Sequence, residues 1–142
     1  MDVKNGVPGV TAPDPESYEE FWPYYVSQHL HPATRVIHVG ATSAALVCGA
    51  AGIALFNPLL IAAAPVMGYG PAWVSHFAIE KNKPASFGHP LWSFRADLRQ
   101  VRKFFMGRLE ADVQEVRKAL HLRPGQRTLA DVGKRHLRAI AA

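Results

Sequence analysis

Two long stretches without a charged residue constrain the fold of this chain most. Residues 39–56 (VGATSAALVCGAAGIALF) and residues 58–75 (PLLIAAAPVMGYGPAWVS) are each eighteen residues long. The Asn57-Pro58 pair where they meet is a turn signal. At a helical rise of about 1.5 Å per residue, each stretch spans about 27 Å, close to the ~30 Å hydrocarbon core of a bilayer. The sequence therefore predicts an antiparallel transmembrane hairpin.

The alternative is that both stretches are core helices of a soluble bundle. They contain more Ala and Gly than Leu and Ile, which makes insertion into a membrane marginal, and Pro65 and Pro71 add bends. Small residues nevertheless let membrane helices approach one another closely. Charged residues make up only 19% of the chain, below the roughly 25% of a typical soluble domain, which favours the membrane hypothesis.

The basic residues are concentrated after the hairpin. Of the sixteen Lys and Arg residues only Lys4 and Arg35 precede residue 81, and the hairpin tip has no charge. This asymmetry predicts a multi-pass membrane protein with the hairpin base and both termini in the cytoplasm. A basic tail also occurs in nucleic-acid-binding proteins, but this one lacks interleaved aromatic residues for base stacking, so we expect contact with membrane lipid and no nucleic acid. The single cysteine, Cys48, excludes an intramolecular disulfide and a cysteine-based zinc cluster.

The remaining segments complete an all-α fold in which amphipathic or interfacial helices flank the hairpin. A first helix is predicted over residues 15–30, with a kink or break at Pro23, and Pro32 begins the next one. Apolar residues spaced three or four apart predict one amphipathic helix over 91–120, lying at the interface or on the side of a bundle, and a short last helix over 129–140. We therefore divide the chain into a flexible lead (1–14), a membrane-embedded helical domain (15–106) and a basic amphipathic tail (107–142).

Three of the seven histidines occupy positions that the hairpin brings together. His38 lies one residue before the first uncharged stretch, His76 lies one residue after the second, and the midpoint between them is the turn at Asn57. His29 lies on the preceding helix, which the break at Pro32 allows to fold back across the hairpin base. Glu80 lies one helical turn beyond His76. These four side chains are therefore predicted to converge from three helices.

Three imidazoles and a carboxylate are ligands that favour iron or zinc over magnesium or calcium, and open coordination positions suit Fe(II) oxygen chemistry. The alternative is a hydrogen-bonded polar cluster without a metal, in which Glu80 pairs with Lys81 or Lys83. His89 in FGHPLW is a weaker candidate that either supports the site or caps a turn.

Residues 21–40 (FWPYYVSQHLHPATRVIHVG) and 69–93 (YGPAWVSHFAIEKNKPASFGHPLWS) resemble a family of small membrane proteins. The family includes a fungal endoplasmic-reticulum enzyme, an Fe(II)-dependent dioxygenase that shortens 2-hydroxy fatty acids by one carbon in α-oxidation. The resemblance covers roughly residues 17–105, and the HPLWS block is more similar to a bacterial-type branch.

The resemblance implies a function and a set of site residues. His29, His38 and His76 would hold Fe2+, with Zn2+ possible in its place, and the substrates would be a long-chain 2-hydroxy fatty acid and O2. Glu80 would be an additional ligand or a base beside the metal, Tyr24 would orient a ligand, and Arg35 would meet the substrate carboxylate as a fork. The sequence does not indicate an oligomeric state. The alternatives are a metal-dependent lipid hydrolase on the same site and a non-catalytic membrane scaffold.

Overall fold

A computed structural model of the chain describes residues 15–120, and every regular element in this range is helical, which confirms the all-α prediction. The elements are α1 (Tyr18–Ser27), α2 (Pro32–Ala54), α3 (Pro58–Ser75), a π-helical turn (His76–Glu80), a 3-10 turn (Ala85–Phe87), α4 (Pro90–Phe105) and α5 (Leu109–Ala119). The flexible lead predicted over 1–14 and the last helix predicted over 129–140 lie outside the described residues.

Helix α1 is shorter than the predicted segment 15–30. Ser17 caps its start, because the Ser17 side chain accepts a hydrogen bond from the Glu20 amide at 3.3 Å. At the other end the Ser27 hydroxyl donates to the Tyr24 carbonyl at 2.6 Å. Pro23 lies inside the helix and does not split it. The chain therefore leaves α1 before His29 and crosses to α2 through a short connection.

The helical hairpin of α2 and α3 has the predicted turn, and α3 has the predicted bounds, whereas α2 ends at Ala54, two residues before the predicted end. Phe56 adopts a left-handed conformation with φ of 51°, and the Asn57 amide donates to the Gly52 carbonyl at 2.8 Å, which closes α2. The Asn57 side chain then accepts from the Leu59 amide at 3.0 Å and caps α3. A Cβ atom on Gly52 would lie 2.8 Å from the backbone nitrogen of Ile61, so the two helices pack closely beside the turn.

One helix of residues 15–120, α2, is long and apolar enough to cross a membrane. Only 28% of its most apolar window is buried, whereas the core helix of a soluble protein would be mostly buried. Helix α3 does not meet the same criterion, because its prolines, its glycines, Tyr69 and Trp73 lower its hydropathy. The structure thus contains the predicted helical hairpin and one candidate membrane span.

The single helix predicted over 91–120 is wrong, because the chain breaks between α4 and α5. Gly107 has a φ of +67°, and its amide donates to the Phe104 carbonyl at 3.0 Å. The Arg108 amide donates to the Lys103 carbonyl at 2.9 Å. These two bonds form a Schellman closure, for which a glycine in the left-handed region is well suited. Helix α5 can therefore turn back onto α1.

A compact apolar cluster holds α1, α4 and α5 together beside the base of the hairpin. Its most buried members are Phe21, Leu30, Ala96, Val113 and Leu120. Arg35 connects α2 to α5, since its guanidinium lies 3.0 Å from the Glu110 carboxylate. This packing fixes the end of α1, the start of α2 and the end of α3 around one point.

Candidate metal centre

Three histidines from separate segments meet at the base of the hairpin. The ring centroids of His29 and His38 are 4.3 Å apart, those of His29 and His76 are 4.6 Å apart, and those of His38 and His76 are 5.0 Å apart. One ring nitrogen of each histidine lies within 4.8 Å of those of the other two. All three side chains are buried. The predicted proximity of His38 and His76 across the hairpin is confirmed, and His29 joins them.

Each of the three imidazoles has an oxygen acceptor at its Nδ1 atom. His29 Nδ1 lies 2.6 Å from the Tyr25 carbonyl, His38 Nδ1 lies 3.2 Å from Asp97 Oδ1, and His76 Nδ1 lies 2.7 Å from Asn82 Oδ1. We assign the ring proton to Nδ1 in each case, because a carbonyl or a carboxylate can only accept. The lone pair of each Nε2 atom is then available to a ligand.

The Nε2 atoms of His29 and His38 are buried and have no hydrogen-bond partner among residues 15–120. A buried polar atom without a partner is costly and rare, so its presence calls for an explanation such as an ion. Three convergent imidazole nitrogens with this orientation fit a transition metal such as iron or zinc. The donor set therefore suits a metal of the predicted kind.

Burial keeps the histidines in the form that binds metals. Burial lowers the pKa of His76 to about 4, and the neighbouring imidazole of His38 adds to the effect. Burial, followed by the proximity of His38 and His76, lowers the pKa of His29 well below its ordinary value. His29 and His76 are therefore neutral at pH 7, and a neutral imidazole is a metal ligand without prior loss of a proton.

Asp97 and Tyr25 support the triad, and neither was identified from the sequence. The Tyr25 hydroxyl donates to the Asp97 carboxylate that also contacts His38, and burial followed by the charge of Asp97 raises the pKa of this phenol. The Tyr25 ring also stacks on the His29 ring, with centroids 4.1 Å apart. The sequence feature that could have identified Asp97 is that it is the single acidic residue in a basic helix.

Asn82 supports His76 from an irregular segment. The π-helical turn ends at Lys81, whose φ of 57° is left-handed, and the Asn82 amide then donates to the His76 carbonyl at 3.1 Å. The Asn82 side chain thus reaches His76 Nδ1, and its NH2 group donates to the Gln28 carbonyl at 3.1 Å. No periodic pattern in the sequence indicates this contact.

The other predicted site residues make contacts of their own. Glu80 is buried, and its Oε1 atom accepts from the His31 amide at 2.8 Å, so this carboxylate holds the connection between α1 and α2. Arg35 donates to the Leu30 carbonyl at 2.6 Å and to the His29 carbonyl at 3.2 Å. The Tyr24 ring packs against Phe21, with centroids 5.8 Å apart.

His89 lies just before α4 and stacks on Trp92, with ring centroids 5.1 Å apart and planes 10° from parallel. Its side chain makes no capping hydrogen bond to α4. It is thus separate from the three histidines that converge.

A cavity of about 10 Å³, roughly the room of one water-sized group, adjoins the triad. Its lining includes the three histidines, Tyr69, Asp97 and Ser93, but no Lys or Arg of residues 15–120. The Ser93 hydroxyl is buried and has no hydrogen-bond partner in this part of the chain. It is a further polar group at the site that sequence reasoning missed.

Comparison with protein families gives a match that covers most of the chain. A family model described as "Mpo1-like: 2-hydroxy-palmitic acid dioxygenase Mpo1-like" matches residues 15–109, a range that includes the triad, Asn82 and Asp97. No curated protein and no solved structure matches the chain.

Proposed function

Since the family match covers most of the chain, the protein belongs to the Mpo1-like family, and we propose that it is a metal-dependent dioxygenase acting on 2-hydroxy fatty acids. The observation that carries this proposal is the buried triad of His29, His38 and His76, whose Nδ1 atoms are all paired with oxygen acceptors. The family description gives the reaction class and the type of acid.

The proposed reaction converts R–CH(OH)–COOH and O2 into R–COOH, CO2 and H2O. The bond between C1 and C2 breaks, C1 leaves as CO2, and C2 becomes the new carboxyl carbon. The substrate loses four electrons and O2 accepts all four. The reaction therefore needs no separate reductant.

We propose that the triad holds Fe2+, which would supply the one-electron chemistry that O2 requires. Three imidazoles are also suitable ligands for Zn2+, so the metal has to be identified by experiment. Support for a cation at this point comes from charge. The cavity lining within residues 15–120 contains no Lys or Arg, whereas a 2-hydroxy fatty acid would bring a carboxylate into it.

The supporting residues have separate roles in this proposal. Asp97 holds the proton on His38 Nδ1 and thereby directs Nε2 toward the centre. Ser93 offers a hydroxyl donor to an oxygen of the substrate. Glu80 and Arg35 act as positioning residues for the connection between α1 and α2. Glu80 accepts from the His31 amide, and Arg35 donates to the His29 carbonyl. The direct roles predicted for Glu80 at the metal and for Arg35 at the substrate carboxylate stay predictions.

We also propose that α2 and α3 both insert into the membrane as a hairpin. Large apolar side chains are exposed on both helices, among them Val47, Ile53, Leu59 and Val66. Such a continuous exposed apolar surface is rare on soluble monomers and suits contact with lipid. The orientation with both termini in the cytoplasm stays a prediction.

The test is metal analysis of anaerobically purified protein combined with O2 uptake on 2-hydroxyhexadecanoate. We expect about one iron per chain and O2-dependent formation of pentadecanoate, and both are lost in His38→Ala and His76→Ala. His89→Ala is the matched control, because His89 lies outside the triad. Retained zinc with O2-independent turnover of a lipid ester would favour the hydrolase alternative. Absence of both metal and turnover in the wild type would favour a scaffold.

A further inference from the structure

An open apolar groove of about 600 Å³ runs along the hairpin from the candidate metal centre toward the turn. Helices α2, α3 and α4 all contribute to its walls. Tyr69 and Asp97 line both this groove and the small cavity beside the triad. The groove and the cavity therefore adjoin one another at these two side chains.

The polar groups of the groove are confined to one end. Thr42, Tyr69 and Asp97 are its polar lining residues, and they lie near the triad. Beyond them the walls are apolar, with Leu46 and Ile53 from α2 and Phe94 from α4. Such a lining suits an amphiphile whose head lies at the triad and whose tail extends toward the turn.

The length of the groove can be compared with that of an alkyl chain. Thr42 and Ile53 are eleven residues apart on α2, which corresponds to about 16 Å along the helix axis. An extended chain with C–C bonds of about 1.52 Å advances roughly 1.25 Å per carbon, so the groove accommodates about thirteen carbons. The carboxyl and hydroxyl carbons of the head group, placed at the polar end of the groove next to the triad, add two or three and bring the total to about sixteen carbons.

Small residues form the floor of the groove. Ala45 and Gly49 of α2 lie against Ala64 and Gly68 of α3, and a Cβ atom on Gly68 would lie 3.2 Å from the Cβ atom of Ala45.

We propose that this groove binds the alkyl chain of the substrate and selects its length. The inference rests on the proposed function for the identity of the head group, but the binding of a linear fatty acid can be measured without turnover. Ala50 is the residue to change, because it is exposed, lines the groove and lies about 12 Å beyond Thr42, roughly the twelfth carbon of the acid when the head-group carbons are included.

The experiment measures the dissociation constants of 2-hydroxyhexadecanoate and 2-hydroxyoctanoate for anaerobically purified, metal-loaded protein in phosphatidylcholine nanodiscs, with O2 excluded so that no turnover occurs. In Ala50→Phe the new ring lies across the distal part of the groove. We expect binding of the sixteen-carbon acid to weaken at least tenfold and binding of the eight-carbon acid to change less than twofold. Ala50→Leu, which projects less far, should give a smaller change of the same sign. Ala62→Phe is the matched control, since Ala62 is exposed on α3 and does not line the groove.

The outcomes separate this inference from the proposed reaction. Equal weakening of both acids in Ala50→Phe, or the same effect in Ala62→Phe, would overturn the groove as the chain site. If the ratio of the two dissociation constants is unchanged in Ala50→Phe while the protein does consume O2, the groove is not the chain site and the proposed reaction stands. A changed ratio in a protein that shows no turnover would leave the groove as a fatty-acid site and remove the proposed reaction. If phosphatidylcholine competes equally with both acids, the groove binds bilayer lipid instead, and the inference is overturned.

Discussion

The role of Asp97 gives the most informative single substitution, Asp97→Asn. The carboxylate accepts hydrogen bonds from His38 Nδ1 at 3.2 Å and from the Tyr25 hydroxyl, and its side chain is only 13% exposed. Asparagine has the same shape and retains one acceptor oxygen, but it has no charge. The substitution therefore tests the charge behind His38 and leaves the packing nearly unchanged.

The expected magnitude follows from these two bonds. A hydrogen bond to a charged group contributes about 1.5–3 kcal/mol and a neutral one about 0.5–1.5 kcal/mol, so each bond loses roughly 1–1.5 kcal/mol. The His38 bond alone then accounts for about a tenfold loss of metal affinity. Carboxylates behind metal-bound histidines typically contribute 10–100-fold, which sets the expected range.

The assay is anaerobic competition for Fe2+ against a chromophoric chelator, with helix content followed by circular dichroism. Asp112→Asn is the matched control, because Asp112 is similarly buried but binds Lys103 and Trp22 away from the triad. We expect affinity to fall for Asp97→Asn and to stay within twofold for Asp112→Asn. A folded Asp97→Asn protein with unchanged affinity would refute the argument that this carboxylate orients His38, and so would an equal loss in both variants.

Three further predictions concern the same region. Unfolding returns the pKa of His76 from about 4 toward 6.5, so the unfolded chain binds a proton at a higher pH than the folded chain. The free energy of unfolding of the metal-free protein should therefore fall by roughly 3 kcal/mol through His76 between pH 6.5 and pH 4, and His76→Gln should flatten this pH dependence in urea titrations. Gly52→Ala should destabilise the hairpin by about 1–3 kcal/mol in thermal unfolding, because the new Cβ atom would lie 2.8 Å from Ile61. Gly40→Ala, which faces open space, should stabilise it by roughly 0.5–1 kcal/mol, and equal effects of the two substitutions would contradict the close packing at Gly52. Asn82→Ala should weaken Fe2+ binding at least tenfold in the chelator assay, because it removes the acceptor of His76 Nδ1, and an unchanged affinity would exclude that role.

The hairpin and the triad were predictable because both follow from position along the chain. A turn at Asn57 fixes which residues of α2 and α3 lie at the same level, and this places His38 beside His76. The break before Pro32 then allows His29 to approach. Such arguments need only helix lengths and a turn.

The residues that support the triad were harder to predict from the sequence, because small errors of helix register change which side chain faces the site. Successive residues of a helix point about 100° apart. The Tyr24 ring therefore packs on Phe21, whereas the ring of the next residue, Tyr25, stacks on His29. The break at Gly107 was missed for a related reason. The apolar spacing continues across it into α5, and periodicity does not detect a turn that preserves the spacing.

The segment HFAIE shows why a helical interpretation finds the ligand and misses its support. In a regular α-helix, residue 82 would lie about 9 Å along the axis from His76 and on another face, out of reach of His76 Nδ1. The π-helical turn and the left-handed Lys81 instead fold the chain back, so that Asn82 bonds to both the carbonyl and the ring of His76. The same departure directs Glu80, four residues after His76, to the His31 amide. This segment therefore makes two structural contacts, one that orients His76 and one that ties Glu80 to the start of α2, and a direct role of Glu80 at the metal stays a prediction.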